Sequence, residues 1–343
     1  MAPTRAASHA GSWYTDDADE LDACLSEWLE DVEGQSLPKP LSVCDRSPPL
    51  EALPLPVSAS RAIIGPHAGY SYSGPAAAYA YRTIDTSSIT TVFVLGPSHH
   101  VYLDGCAVSA CEQYETPLGN LAIDRKITED LKTTGKFSVM SQTEDEDEHS
   151  IEMHLPYIYK VFKGRQIKIV PILVGAINSS KENEYGKLLA PYLNDPSNFF
   201  VVSSDFCHWG LRFRYTHYKP SGSSLATQLS NRSPSILETK PIHQSIRELD
   251  KSGILAITHP WTQDSEAKTA EQARLAFTQY LSSTKNTVCG RHPIGVLLAA
   301  LAELERSGKK SECRFTRYEQ SSECVSPQDS SVSYASAFVR FRE

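Results

Sequence analysis

Three runs of this chain place a histidine, or an Asp followed by a histidine, straight after an apolar, strand-like stretch. Arg61-Ala62-Ile63-Ile64-Gly65-Pro66 leads to His67. Thr91-Val92-Phe93-Val94-Leu95-Gly96-Pro97-Ser98 leads to His99 and His100. Phe199-Phe200-Val201-Val202-Ser203-Ser204 leads to Asp205, with His208 three residues on. A fourth stretch, Thr287-Val288-Cys289-Gly290-Arg291-His292-Pro293, carries a cysteine just before a helix-like run. Imidazole and thiolate suit Zn, Cu and Fe. In open α/β sheets the ligand crevice lies beyond the carboxyl ends of the strands. The four segments are therefore expected to converge on one polar site that holds a metal.

A lone histidine at a strand end reads most simply as a hydrogen-bonded structural residue. His67 and His99 stand in matching Gly-Pro settings, and that pairing is what points to a metal. If the chain turns helically after Ser204, Asp205 and His208 share a face. They would then be a proton-transfer pair, or an outer carboxylate and a weak ligand; a capping Asp beside a structural His is the plain alternative. A helix N-terminus and the nearby Arg291 would favour the thiolate of Cys289. The same inventory would serve a hydrolase, with Cys289 as nucleophile and His208–Asp205 as base and orienter.

Three neighbouring features carry less. Glu144-Asp145-Glu146-Asp147-Glu148 reads as a solvated acidic loop. His149 and His154 are five apart, about 140° around a regular helix, so one helix would not present both to one metal. His9, Trp13 and Tyr14 form an aromatic patch that needs a surface to bury it.

The elements that must position these residues alternate along the chain. Strand-like runs are expected at 61–65, 91–96, 106–110, 167–174 and 198–204. Helices are expected at 16–30, 75–83, 125–133, 152–163, 181–193, 241–257, 265–281 and 293–305, and two further strands at 312–318 and 332–341. That order implies a largely parallel sheet covered on both faces. Nothing splits the 343 residues cleanly, so one domain is expected, with loop insertions at 36–60 and 220–237.

Hydrophobic residues make up 40% and charged residues 22%, with a formal net charge of −8, which is unlike the basic footprint of a nucleic-acid binder. No apolar leader and no run of ~18 apolar residues occurs, so a cytoplasmic protein, with the nucleus also open to it, is expected and no membrane insertion. The eight cysteines form no CxxC pair and are expected to be reduced.

The chain resembles the Memo family, named for mediator of ErbB2-driven cell motility. The resemblance is carried by Ala7-Ser8-His9-Ala10-Gly11-Ser12-Trp13-Tyr14, Pro66-His67-Ala68-Gly69-Tyr70, Leu95-Gly96-Pro97-Ser98-His99-His100 and the stretch from Thr143 to Tyr157. Val201 to Gly210, Cys289 to Leu298 and Asp329 to Ala335 continue it, and it lapses only in the two insertions. It implies a three-layer α/β/α sandwich with a parallel or mixed central sheet, similar to class III extradiol dioxygenases. It also implies a metal site at His67, His99 and Cys289, with Asp205 and His208 alongside, and no nucleotide cofactor. The dioxygenases hold iron with two His and a carboxylate, whereas the third position here is Cys289. A thiolate moves preference from iron towards copper, with zinc also compatible, and suits redox cycling better than ring cleavage. The family's association with signalling implies a second role, as an adaptor that takes a phosphopeptide or signalling protein across the cleft near Trp13 and Tyr72.

Overall fold

The computed structural model describes residues 3–33, 53–231, 233, 240–259 and 268–342. Six long strands form the centre of a mixed sheet: β1 Ser60–Gly65, β2 Thr91–Pro97, β3 Lys168–Val174, β4 Asn198–Ser203, β5 Lys310–Gln320 and β6 Ser331–Arg342. Their order is β3-β2-β4-β1-β6-β5. The first four run parallel; β6 lies antiparallel to β1, and β5 pairs antiparallel with β6 in a hairpin. Shorter strands, among them Cys106–Val108 and Leu121–Ile123, extend the sheet beyond β3.

Side-chain alternation divides the strands between two cores. Ile63, Val92, Val94, Phe199, Val201 and Phe338 pack with the helices Ala18–Glu33, Tyr70–Tyr81 and Leu155–Val161. Ala62, Ile64, Phe93, Leu95, Phe200, Val202 and Val339 pack with Ser179–Asn194, Ile242–Ile257, Ala270–Thr284 and Arg291–Arg306. The result is the expected three-layer α/β/α sandwich. The four parallel strands are buried on both faces, which is why their sequences are largely apolar rather than alternating.

Most of the 36–60 insertion lies outside the described residues. Its last part is built into the fold: Val57 is buried and Ser60 opens β1. In the 220–237 insertion, Thr227–Gln228 pairs with His217–Tyr218, and 232 and 234–237 lie outside the described residues. The last major helix begins at Arg291, two residues before Pro293.

Because β1, β2 and β4 are parallel and adjacent through β4, their carboxyl ends lie together on one edge. Pro66-His67, Ser98-His99 and Ser204-Asp205 all leave the sheet there. The segment 149–154 crosses this edge at close quarters. A Cβ on Gly96 would lie 2.5 Å from Ser150 Oγ and 2.7 Å from Ile151 Cγ1, and one on Gly65 would lie 3.2 Å from the His154 ring. The two Gly-Pro motifs thus share one cause: both glycines make room for the same crossing segment.

Candidate metal centre

His67, His99 and His149 come together with ligand-capable atoms all within 4.8 Å of one another. The His67–His99 ring centroids are 5.2 Å apart, His67–His149 5.4 Å, and His99 stacks on His149 at 4.4 Å.

Hydrogen bonding fixes which ring nitrogens are bare. The Ser203 hydroxyl donates its one proton to the Ser150 carbonyl at 2.7 Å. Towards His67 Nδ1, 2.6 Å away, it can only accept. His67 therefore carries its proton on Nδ1 and presents Nε2 as a lone pair. His99 Nδ1 lies 2.9 Å from Glu148 Oε1 and donates to that carboxylate, again leaving Nε2 bare. His208 Nδ1 faces two acceptors, the Phe206 carbonyl at 2.9 Å and the Thr287 carbonyl at 3.1 Å, so its Nε2 is bare too. Such backing of the far nitrogen is the usual support of a ligating imidazole.

Burial holds His67 well below the usual histidine range, and the neighbouring histidines push it the same way. His149 is lowered to about 3, by burial first and then by His99. These rings are neutral at pH 7, the form that binds a metal. For Glu148, burial acts upwards, but the hydrogen bonds from the His99 ring and amide and the closeness of the His99 and His149 imidazoles outweigh it and bring the group down to about 2.

Cys289 touches the group from one side. Its Sγ lies 3.2 Å from His67 Nε2 and accepts the Asp205 amide N–H at 3.2 Å. A Cβ on Gly290 would fall 2.3 Å from the Ser203 carbonyl oxygen, so a glycine there lets this turn press against the end of β4. Cys289 is not one of the three residues in the 4.8 Å group. The expectation of a lowered thiol pKa is reversed: burial and then the Asp205 charge push it up, outweighing the amides and Arg291.

Asp205 and His208 do not share a helical face. The chain continues extended, and His208–Trp209 pairs with Ser331 and Val332 of β6. The Asp205 carboxylate accepts the His67 amide N–H at 2.9 Å, and burial raises it to about 7. With His208 Nδ1 committed to two carbonyls and Cys289 facing His67, the triad geometry of a cysteine hydrolase is not formed.

The acidic run is a further correction. Asp145 and Glu148 are buried rather than solvated. Arg5 Nη1 reaches Glu152 at 2.6 Å, and its Nε lies 3.3 Å from Asp145. Tyr114 and Ser109 donate to Asp145, and Glu148 caps the helix His149–Glu152 through the Ser150 amide. Glu152 also takes the His9 amide and the Tyr14 hydroxyl. This network lays the N-terminal segment over the site and places Trp13 against His149, ring centroids 4.4 Å apart. Trp13 and Tyr72 are both exposed. His154 points away, into the core, where its Nδ1 meets the Tyr81 hydroxyl at 2.8 Å.

Sequence reasoning thus missed His149, Glu148, Ser203 and Ser150. The local signal was present in Glu148-His149-Ser150, a carboxylate able to cap a helix that opens on a histidine.

Fold and site together define a three-layer α/β protein with a histidine cluster at the carboxyl edge of its parallel strands. Residues 5–338 match the family described as Memo-like protein, and the chain belongs to the Memo family. It is 46% identical to Protein MEMO1 of Rattus norvegicus and 47% to that of Danio rerio, over 333 residues in each case, covering 96% of this chain and 95% of the relative. The Protein memo-1 homolog of Caenorhabditis elegans is 42% identical over 98% of this chain and 82% of its own length. Among solved structures, an uncharacterized protein JW3007 from Escherichia coli K12 aligns with a TM-score of 0.44 at 17% identity, over 80% of this chain and 99% of that one. No helix among the described residues is long and apolar enough to cross a membrane.

Proposed function

We propose that this Memo-family chain holds a redox-active metal, copper or iron, on His67 and His99. The observation that supports this is the pair of bare Nε2 atoms, each backed on Nδ1 by a buried acceptor and facing a third imidazole. Two residues compete to complete the site. Cys289 supplies sulfur beside His67, which favours copper; His149 supplies a third nitrogen, which iron and zinc accept equally well. A bound copper or iron would supply one-electron exchange with an oxidant such as dioxygen. The protein's own contribution is to hold neutral imidazoles in a fixed tautomer and to keep a protonatable carboxylate, Asp205, one residue-width away. Elemental analysis of anaerobically purified protein, followed by Cu(I) and Fe(II) titration, tests this. Stoichiometric binding lost in His67→Ala is expected; equal and negligible metal in wild type and variant ends the proposal.

A second reading is favoured by the rim. Trp13 is exposed against His149, Tyr72 is exposed in the first turn of the helix that follows His67, and Arg212, stacked on Phe213, lies close enough to influence both His208 and Tyr334. Aromatic and guanidinium groups around a cleft suit a phosphate-bearing peptide. Phosphopeptide binding weakened by Trp13→Ala and Arg212→Ala supports that partner, and binding indifferent to both counts against it.

A further inference from the structure

A separate cavity of about 570 Å³ lies in the helical layer, walled by three elements: the start of Ser179–Asn194, the second half of Ala270–Thr284 and the first turn of Arg291–Arg306. Its volume is in the range of small-molecule sites. Ile177, Phe277 and Leu281 give it apolar surface. Gly295 lets the Glu182 side chain pack directly against the helix Arg291–Arg306, since a Cβ there would lie 2.5 Å from Glu182 Cδ.

Charge in the cavity is unbalanced. Arg274, Lys285 and Arg291 line it against one carboxylate, Glu182. Glu182 is already engaged by His292 Nδ1 at 2.8 Å. Glu271 occupies Arg274 through two bonds, at 2.9 and 2.7 Å. Lys285 and Arg291 are exposed, and Arg291 spends one N–H on the Val288 carbonyl at 3.3 Å. The rest of the lining is mostly polar, and the exposed cations beside the apolar patch of Phe277 and Leu281 suit a ligand with an anionic head and a small apolar body.

We infer that this cavity binds a small organic oxyanion, a carboxylate or phosphate carried on an apolar group. Lys285 and Arg291 take the head, and Phe277 and Leu281 take the body. Thr287 forms part of the same wall and also holds His208, accepting its amide N–H at 2.7 Å, so an occupant sits one residue from the histidine site.

Calorimetric titration of the full chain with 3-phenylpropionate, phenyl phosphate and the neutral 3-phenylpropanol tests the inference. Saturable binding of either oxyanion is expected, with the alcohol at least about tenfold weaker, a difference of about 1.4 kcal/mol. Binding of only one oxyanion identifies the head group. The double variant Lys285→Glu/Arg291→Glu, altered at exposed positions, should weaken oxyanion binding by about tenfold or more. Leu281→Trp, which fills the interior, should abolish it, with circular dichroism as the check on folding. No saturable binding at millimolar concentration, equal binding of the alcohol, or an unchanged affinity in a folded double variant overturns the assignment.

Discussion

Ser203 Oγ lies 2.6 Å from His67 Nδ1 and donates its own proton to the Ser150 carbonyl, so one hydroxyl on β4 decides which nitrogen of His67 is free. Ser203→Ala removes the acceptor and lets the imidazole change tautomer. Loss of such a supporting group typically costs ~10–100-fold in metal affinity. Competition titration with a chromogenic Cu(I) chelator measures this, and an affinity equal to wild type would show that the hydroxyl does not set the tautomer.

The third donor can be decided by removing each contender. Cys289→Ser should leave an all-nitrogen set that retains Zn(II) or Fe(II) and weakens Cu(I). His149→Ala should do the reverse. X-ray absorption of the Cu(I)-loaded protein should show a sulfur scatterer in wild type that is gone in Cys289→Ser. A sulfur-free spectrum in wild type assigns the third place to His149.

Gly96 is fixed by packing. Its Cβ would meet Ser150 Oγ at 2.5 Å and Ile151 Cγ1 at 2.7 Å, both in the segment that carries His149. Gly96→Ala should destabilise the fold by ~1–3 kcal/mol, as overpacking does. Chemical denaturation reads this directly, and a midpoint within error of wild type would contradict the close approach.

Arg5 is fully buried and bonded to Glu152, the Asp145 and Glu148 carbonyls and the Ala6 carbonyl. Arg5→Met leaves Asp145 and Glu152 without their cation, which should cost ~3–5 kcal/mol. Trp13 fluorescence should shift as the N-terminal segment loosens from His149. Adding Glu152→Gln should recover part of the loss, since it removes one of the stranded charges; a double variant less stable than Arg5→Met alone would refute the pairing.

The metal-free protein should lose stability steadily below neutral pH. His149 and His154 are each lowered to about 3, chiefly by burial. Below about pH 6.5 the unfolded chain takes protons on these rings while the folded chain does not, so stability falls as pH falls towards 3. Glu148, brought down to about 2, adds a loss of the same sign below the ordinary glutamate range. Thermal midpoints of chelator-treated protein should drop between pH 6.5 and 4, and the slope should be shallower in His154→Gln. A flat profile over that window contradicts neutral buried rings.

The sequence alone determined the layered fold and three of the site's anchor points. Buried parallel strands write continuous apolar runs, and Gly-Pro after two of them and Ser-Ser after the third mark where the strands end, so His67, His99 and Asp205 were legible as strand-end residues. Those signals are local, set by neighbours within a few positions. Tertiary structure decided the rest. The acidic run looked solvated because nothing near it in sequence neutralises it; its cation, Arg5, is 140 residues away from Asp145. That same pairing turns His149 onto the cluster and Trp13 over it. The thiol of Cys289 read as activated by a helix end, whereas burial and the charge of Asp205, brought in from the end of β4, act against ionisation. Charge and burial depend on what lies across a few ångströms of space, and only folding sets those neighbours.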